Sequence, residues 1–209
     1  MPAAEDVYSK CDDLDNIPPE MRDNYLCESE LLAELLPRNS SVLQVGSMDG
    51  ERIIRLLKLR PDLQAAGLEL EEFFVKTAKE RIAKAGFKAE FIHGDITSPP
   101  NLPTFDYVIC LNNTLGYIQE EEKALDGMKA LGKKLIISVY GERFTDKLAK
   151  RYFASIGLRV DQIKGDLFEM KDFTSVRHYH RQDVEKWKGV ITETPVGYFC
   201  SIDSSIKPS

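Results

Sequence analysis

Apolar residues along this chain follow two alternating periods. Short runs rich in β-branched and aromatic residues at Ser41–Val45, 64–70, Ala89–His93, 105–111 and 134–140 predict five strands. Between them the apolar positions are spaced as on helices. Ile53, Ile54, Leu56 and Leu57 follow Asp49 and Gly50, and Phe73, Phe74, Ala78 and Ile82 share one side of 71–85. Residues 119–131 and 144–156 read the same way, and Gly86, Gly132 and Gly157 end the last three helices. Pro99, Pro100 and Pro103 mark a loop.

The runs around Val42, Val108 and Ile136 are almost continuously apolar, which suits strands of a parallel sheet covered on both faces. Strand and helix in alternation predict a doubly wound α/β sheet with right-handed crossovers. In such a sheet ligands sit outside the carboxyl ends of the strands. That rule directs attention to residues 46–50, Glu69, Asp95 and 111–114. The reading is of one domain, with a helical cover over residues 1–36, a core over 37–157 and additions over 158–209. The cover contains a predicted helix over 28–36. The additions contain strands over 158–164 and 167–171 turning at Gly165 and Asp166, a short helix over 182–188 and a last strand over 196–202. The tail from Ser204 is expected to fray.

Composition narrows the class. A chain of 209 residues with 43% hydrophobic residues is long enough for a real core. Its 28 basic and 34 acidic residues leave a net charge of −6, which argues against a dedicated duplex DNA binder. The longest apolar runs are of strand length, so no membrane span is predicted. Met1 to Asp15 is polar and acidic, so no signal peptide is expected. Cys11, Cys27, Cys110 and Cys200 form no CxxC pair and are read as reduced thiols of a cytoplasmic protein. The expected partner is a small molecule, with neither nucleic acid nor membrane. The oligomeric state is left open.

The glycine loop carries the first chemistry. Gly46-Ser47-Met48-Asp49-Gly50 follows the first strand. A dinucleotide fingerprint needs glycine at 46, 48 and 51, and this chain has Met48 and Glu51. Glu51 would also set a negative charge where a pyrophosphate meets a helix N-terminus. No Gly-Lys-Ser/Thr follows, so the loop is not a P-loop. A nucleoside without phosphate fits better. Glu69, 23 residues beyond Gly46, can accept from both hydroxyls of a ribose. Asp95 can accept from an exocyclic amine such as adenine N6, and Leu70 and Ile96 can sandwich the ring. Glu69 and Asp95 could also be ordinary caps at strand ends.

Together, Val42-Leu43-Gln44-Val45-Gly46 with Gly50, Gly67-Leu68-Glu69-Leu70, Gly94-Asp95-Ile96 and Phe105-Asp106-Tyr107-Val108-Ile109 resemble the class I S-adenosylmethionine-dependent methyltransferases. The resemblance covers roughly residues 40–140. It implies a seven-stranded, mostly parallel, Rossmann-like sheet, with S-adenosylmethionine as cofactor and S-adenosylhomocysteine as product. It also implies that the loop of Gly46, Ser47, Met48 and Gly50 borders the methionine part. Glu69 would hold the ribose, and Leu70, Asp95 and Ile96 the adenine. Leu111 and Asn112 complete the implied cofactor-binding set. The chain departs from the pattern at Gln44, where an acid is usual, and at Met48, where glycine is usual.

The stretch Val108-Ile109-Cys110-Leu111-Asn112-Asn113-Thr114 is similar to one in glycine N-methyltransferase and related small-molecule N-methyltransferases. That likeness puts Asn113 beside an amine acceptor. Val176-Arg177-His178-Tyr179-His180 is similar to another segment of such enzymes. Methyl transfer from a sulfonium needs alignment rather than a nucleophilic residue. Asn113, Tyr140 or His178 could orient the amine or take its proton. Asn113 could equally form a turn, and Tyr140 could simply pack. Arg143 reads as a surface charge or helix-end partner rather than a carboxylate clamp. His178 and His180 alternate, and His93 lies in another strand, so no metal site is expected. Methyl transfer to a small-molecule amine is the first reading. A nucleoside-binding module without catalysis, or an oxygen or macromolecular acceptor, is the alternative.

Overall fold

The computed structural model describes residues 7, 10, 13–171 and 173–203. Helix α1 (Pro19–Leu35) precedes β1 (Ser41–Val45), α2 (Glu51–Leu59), β2 (Gln64–Glu69), α3 (Glu72–Lys84) and β3 (Ala89–His93). Then come β4 (Phe105–Cys110), a 3-10 turn (Thr114–Tyr117), α4 (Glu121–Leu131), β5 (Gly132–Tyr140) and α5 (Asp146–Ser155). The chain continues through β6 (Val160–Lys164), β7 (Leu167–Met170), β8 (Val176–Arg177), α6 (Arg181–Glu185), β9 (Val190–Glu193) and β10 (Gly197–Asp203).

Seven strands form one sheet in the order β3-β2-β1-β4-β5-β10-β9. The first five pair in parallel, and β10 runs antiparallel to both β5 and β9. This is the expected doubly wound sheet. Strand order reverses between β1 and β4, where carboxyl ends leave a crevice. Alternate residues of the central strands serve the two faces. Leu43, Val45, Val108 and Cys110 pack with α4, while Val42, Ile109 and Ile136 pack with α2 and α3. A third cluster, with Tyr25, Tyr140, Phe144, Tyr152, Phe153 and Phe168, joins α1, α5 and the small sheet.

One close approach ties the α4 side of the core to the crevice. A Cβ built on Gly127 in α4 would lie 2.0 Å from the carbonyl oxygen of Ile96. Neither backbone can yield without moving the β3–β4 connection. Gly127→Ala should therefore cost about 1–3 kcal/mol, as overpacking does, despite the better helix propensity of alanine. Urea denaturation of the variant would check this.

Three parts of the architecture differ from the sequence expectation. Helix α1 begins at Pro19, not near residue 28, because its buried stripe of Met21, Asn24, Tyr25, Glu28 and Leu32 has two polar members. The hairpin of β6 and β7 turns at Gly165 as expected, but it pairs with β8 in a separate three-stranded sheet. The main sheet is completed instead by β9, a four-residue edge strand whose Val190 is 74% exposed. Cys27, Cys110 and Cys200 are free thiols. Cys11 and the tail from Ser204 lie outside the described residues. Among the described residues no helix is long and apolar enough to cross a membrane.

Candidate functional site

A cavity of about 530 Å³ opens at the carboxyl ends of β1 to β4. Its floor starts at the β1–α2 loop. Gly46 and Gly50 take φ of +67° and +81°, and a Cβ on Gly46 would stand 2.5 Å from Thr114 Cγ2. Glycine at 46 thus lets the loop turn tightly beneath the segment that follows β4. Met48 takes φ of +47° without being glycine. The loop is braced from α3, since Arg81 pairs with both Asp49 and Glu51.

Glu69 closes β2 with its side chain turned toward this loop. Its Oε2 accepts from the Met48 N–H at 2.8 Å and its Oε1 from the Glu71 N–H at 3.2 Å. Each carboxylate oxygen has a second lone pair, so the pair can still accept from a cis-diol. Burial pushes the Glu69 carboxyl above the ordinary range, against the lowering effect of the backbone donors. Beyond it, Asp95 accepts from the Thr97 N–H at 2.8 Å, while buried Ile96 and exposed Leu70 line opposite sides of the opening.

The other end of the cavity is polar and unusually well connected. The Asn112 N–H donates to Ser138 Oγ at 2.8 Å. Its neighbours set the orientation of its amide. Nδ2 donates to Glu28 Oε2 at 2.9 Å, and Oδ1 accepts from Arg52 Nε and Nη2, both at 2.8 Å. Glu28 comes from α1 and is fully buried. Its Oε1 also accepts from Asn24 Nδ2 at 2.8 Å and from Ser138 Oγ at 2.7 Å. Burial raises the Glu28 carboxyl to about 7, although Ser138, Arg52 and Asn24 each pull it down. The Arg52 guanidinium stands 5.2 Å from the centre of the Tyr25 ring.

Seven of the ten predicted cofactor-binding residues share this cavity: Gly46, Met48, Glu69, Leu70, Asp95, Ile96 and Asn112. Ser47 and Gly50 support the loop from behind, and Leu111 faces the α1 side. The three residues expected to handle the acceptor do not line the cavity. Asn113 is fully buried, donating from Nδ2 to the Arg177 carbonyl at 2.8 Å and accepting at Oδ1 from the Tyr140 N–H at 3.1 Å. It stitches the β4 turn to β5 and β8. Tyr140 packs in the third cluster, 4.3 Å from the ring of Phe144. His178 lies edge-on to Phe168 at 5.2 Å, and burial holds its imidazole below the ordinary range. Arg143 donates to the Thr194 carbonyl and pairs with Glu193, so it clamps β9 rather than a ligand.

Residues that sequence reasoning missed also line the cavity: Arg52, Tyr117, Tyr152 and Phe173, beside Thr114 of the 111–114 stretch it had singled out. In sequence Arg52 reads as a solvated cation in the first turn of a helix, and Tyr152 as the core face of another. The charged lining is lopsided. Glu69, Glu71, Asp95 and Glu120 face one basic side chain among the described residues, Arg52. The volume, the two-oxygen acceptor at Glu69 and the apolar pair Leu70 and Ile96 fit S-adenosylmethionine, whose net charge is positive.

Comparisons with known proteins agree on the fold. Residues 42–134 match the methyltransferase domain family. The carboxy-S-adenosyl-L-methionine synthase of Campylobacter jejuni subsp. doylei is 30% identical over 154 residues, 68% of this chain and 63% of that one. The Campylobacter hominis protein of the same name is 32% identical over 116 residues, 55% of this chain. The match spans about half (49%) of that relative's length. Among solved structures, DesVI of Streptomyces venezuelae superimposes with a TM-score of 0.63 at 18% identity, covering 86% of this chain and 92% of that one. An amino pentose methyltransferase of Micromonospora echinaspora, bound to S-adenosylmethionine, gives 0.61 at 17% identity over 87% of this chain and 90% of that one.

Proposed function

We propose that the chain is a class I S-adenosylmethionine-dependent methyltransferase, in line with its family match and fold, that it binds this cofactor in the crevice above β1 to β4 and that it methylates a nitrogen of a small amine. The observation that carries the reading is the convergence of Gly46, Glu69, Asp95, Ile96 and Asn112, from four separate strand ends, on one cavity. In this reading Glu69 accepts from the ribose, Asp95 from the adenine amine, and Leu70 and Ile96 flank the ring. The Gly46 loop and Asn112 border the methionine part.

When bound, S-adenosylmethionine supplies a methyl group on a positively charged sulfur, so the protein needs no nucleophile of its own. The chain's task is to hold an acceptor in line and keep water out. Thr114, Tyr117, Tyr152 and Phe173 form the wall available for that. A tyrosine hydroxyl in it can orient an amine lone pair by hydrogen bonding. The acidic lining favours a cationic guest, and it lowers the potential around an amine entering from water.

A second reading rests on Arg52. The curated relatives are named for a carboxylated form of the cofactor, and Arg52 is a cation in a cavity otherwise lined by acids. A guanidinium is suited to a carboxylate. Calorimetric titration with S-adenosylmethionine and S-adenosylhomocysteine tests the shared premise. One-to-one binding of both is expected, and no heat with either overturns it. Transfer of labelled methyl to an amine panel then tests the first reading. Binding without any transfer favours the carboxylated cofactor or a module that binds without catalysis. Mass spectrometry of the nucleoside extracted from purified protein separates those two.

A further inference from the structure

Glu28 is the most costly side chain near the cavity, and it does not form part of the cavity wall. It lies in α1, in the N-terminal cover, and is 3% exposed. Among the described residues its two oxygens accept from Asn24 Nδ2, Ser138 Oγ and Asn112 Nδ2. Two of its contacts act on the cavity. Asn112 lines the wall, its backbone fixed by Ser138 and its amide by Glu28 on one side and Arg52 on the other. Arg52, also in the wall, gains a carboxylate behind it.

We propose that Glu28 is a positioning residue for the cofactor, holding the Asn112 amide and the Arg52 guanidinium in the geometry that receives the methionine end. This rests on the cofactor reading above. The physical reason is the donor count. An ionised carboxylate accepts from all three neighbours. A neutral carboxyl must itself donate one proton. That proton can go to Ser138 Oγ only if the hydroxyl hydrogen turns away, or to the Asn112 amide only if the amide flips. Asn112 is the side chain whose rotation has a second consequence, because it would aim Nδ2 at the Arg52 donors. The cover helix therefore does more than shelter the site, since it supplies the charge that orients two of its wall residues.

The ionisation of Glu28 then becomes visible in binding. With its carboxyl raised to about 7, it changes charge near neutrality. The groups facing the same space do not share that range. Arg52 and Arg55 from α2 are the cationic side chains there. Cys110 from β4 is pushed up to about 12, and Cys27 beside Glu28 is raised by burial. Tyr25 from α1 and Gln44 from β1 complete the lining, which includes no histidine among the described residues.

The test is S-adenosylhomocysteine affinity by calorimetry at pH 6, 7 and 8, with thermal melts to show folding. Wild type should bind about tenfold more weakly at pH 6 than at pH 8, the scale of one charge-assisted hydrogen bond. Glu28→Gln should bind about tenfold more weakly at pH 8 and lose most of that pH dependence. Ser138→Ala removes a donor to the carboxylate and leaves every charge in place. It should move the wild-type midpoint to higher pH, and it decides the matter if Glu28→Gln does not fold. Equal affinity of Glu28→Gln and wild type at pH 8, or an unmoved midpoint in Ser138→Ala, overturns the proposal. Failure of the wild type itself to bind at any pH overturns the cofactor reading as well, so the two failures are told apart.

Discussion

Glu69→Ala is expected to weaken S-adenosylhomocysteine binding about a hundredfold, with the fold intact. Two hydrogen bonds from ribose hydroxyls to a carboxylate are each worth about 1.5 kcal/mol or more, and both are lost together. A second effect acts in the same direction. The Glu69 carboxylate accepts from the N–H groups of Met48 and Glu71. Without it the Met48 N–H loses its partner, in a loop already held at positive φ on a non-glycine residue. Glu69→Gln separates the two effects. It keeps one acceptor oxygen but replaces the other with an amide nitrogen that cannot accept from a ribose hydroxyl, so it should fall between wild type and alanine. Calorimetry at a fixed pH of 8, with circular dichroism as the control for folding, measures all three. Unchanged affinity in Glu69→Ala would remove the ribose assignment.

Stability should respond to Glu28 in the opposite sense to binding. The carboxyl is raised from 4.5 to about 7 in the folded protein, so the folded state holds its proton more tightly than the unfolded chain. Its contribution is therefore greatest below pH 4.5 and is lost as the pH rises toward and through 7. Glu28→Gln imitates the neutral form at every pH. Relative to that variant, the wild type should lose roughly 2–3 kcal/mol between pH 5 and pH 8. Urea denaturation of both proteins at the two pH values gives the difference directly. A parallel pH response in the two would show that Glu28 is not the group involved. The charged form is thus expected to cost stability while improving the site, a trade common where a buried ion serves function.

Much of the cavity lining is legible in the chain itself. Gly46, Glu69 and Asp95 stand immediately after runs whose apolar pattern announces buried parallel strands. The topology of such sheets puts their carboxyl ends together, so linear order nearly fixes the spatial neighbourhood. Asn112 is found in the same way, from the end of β4. The acceptor half is not legible by this route. Asn113, Tyr140 and His178 are polar residues near strand ends, yet main-chain partners occupy Asn113 and aromatic packing encloses the other two. Whether a strand-end side chain points into the crevice or behind it depends on a rotation of the chain after the strand. Here φ of +51° and +60° at Asn112 and Asn113 sets that rotation.

What the sequence alone determined is the periodic part of the molecule: the doubly wound sheet, the glycine loop after its first strand and the strand-end residues that meet at the cavity. These follow from hydrophobic spacing and from residue types acting within a few positions of one another. What the tertiary structure decided is every arrangement that depends on distant segments meeting. It made Val190–Glu193 the edge of the main sheet and sent β6 and β7 to a sheet of their own. It also brought Glu28 and Arg52 together across Asn112. An isolated glutamate in an amphipathic helix reads as a solvated charge, because sequence carries no measure of burial for a single polar position. Only packing of α1 against α2, with Ser138 and Asn112 closing over its carboxylate, withdraws that group from water and makes its charge matter.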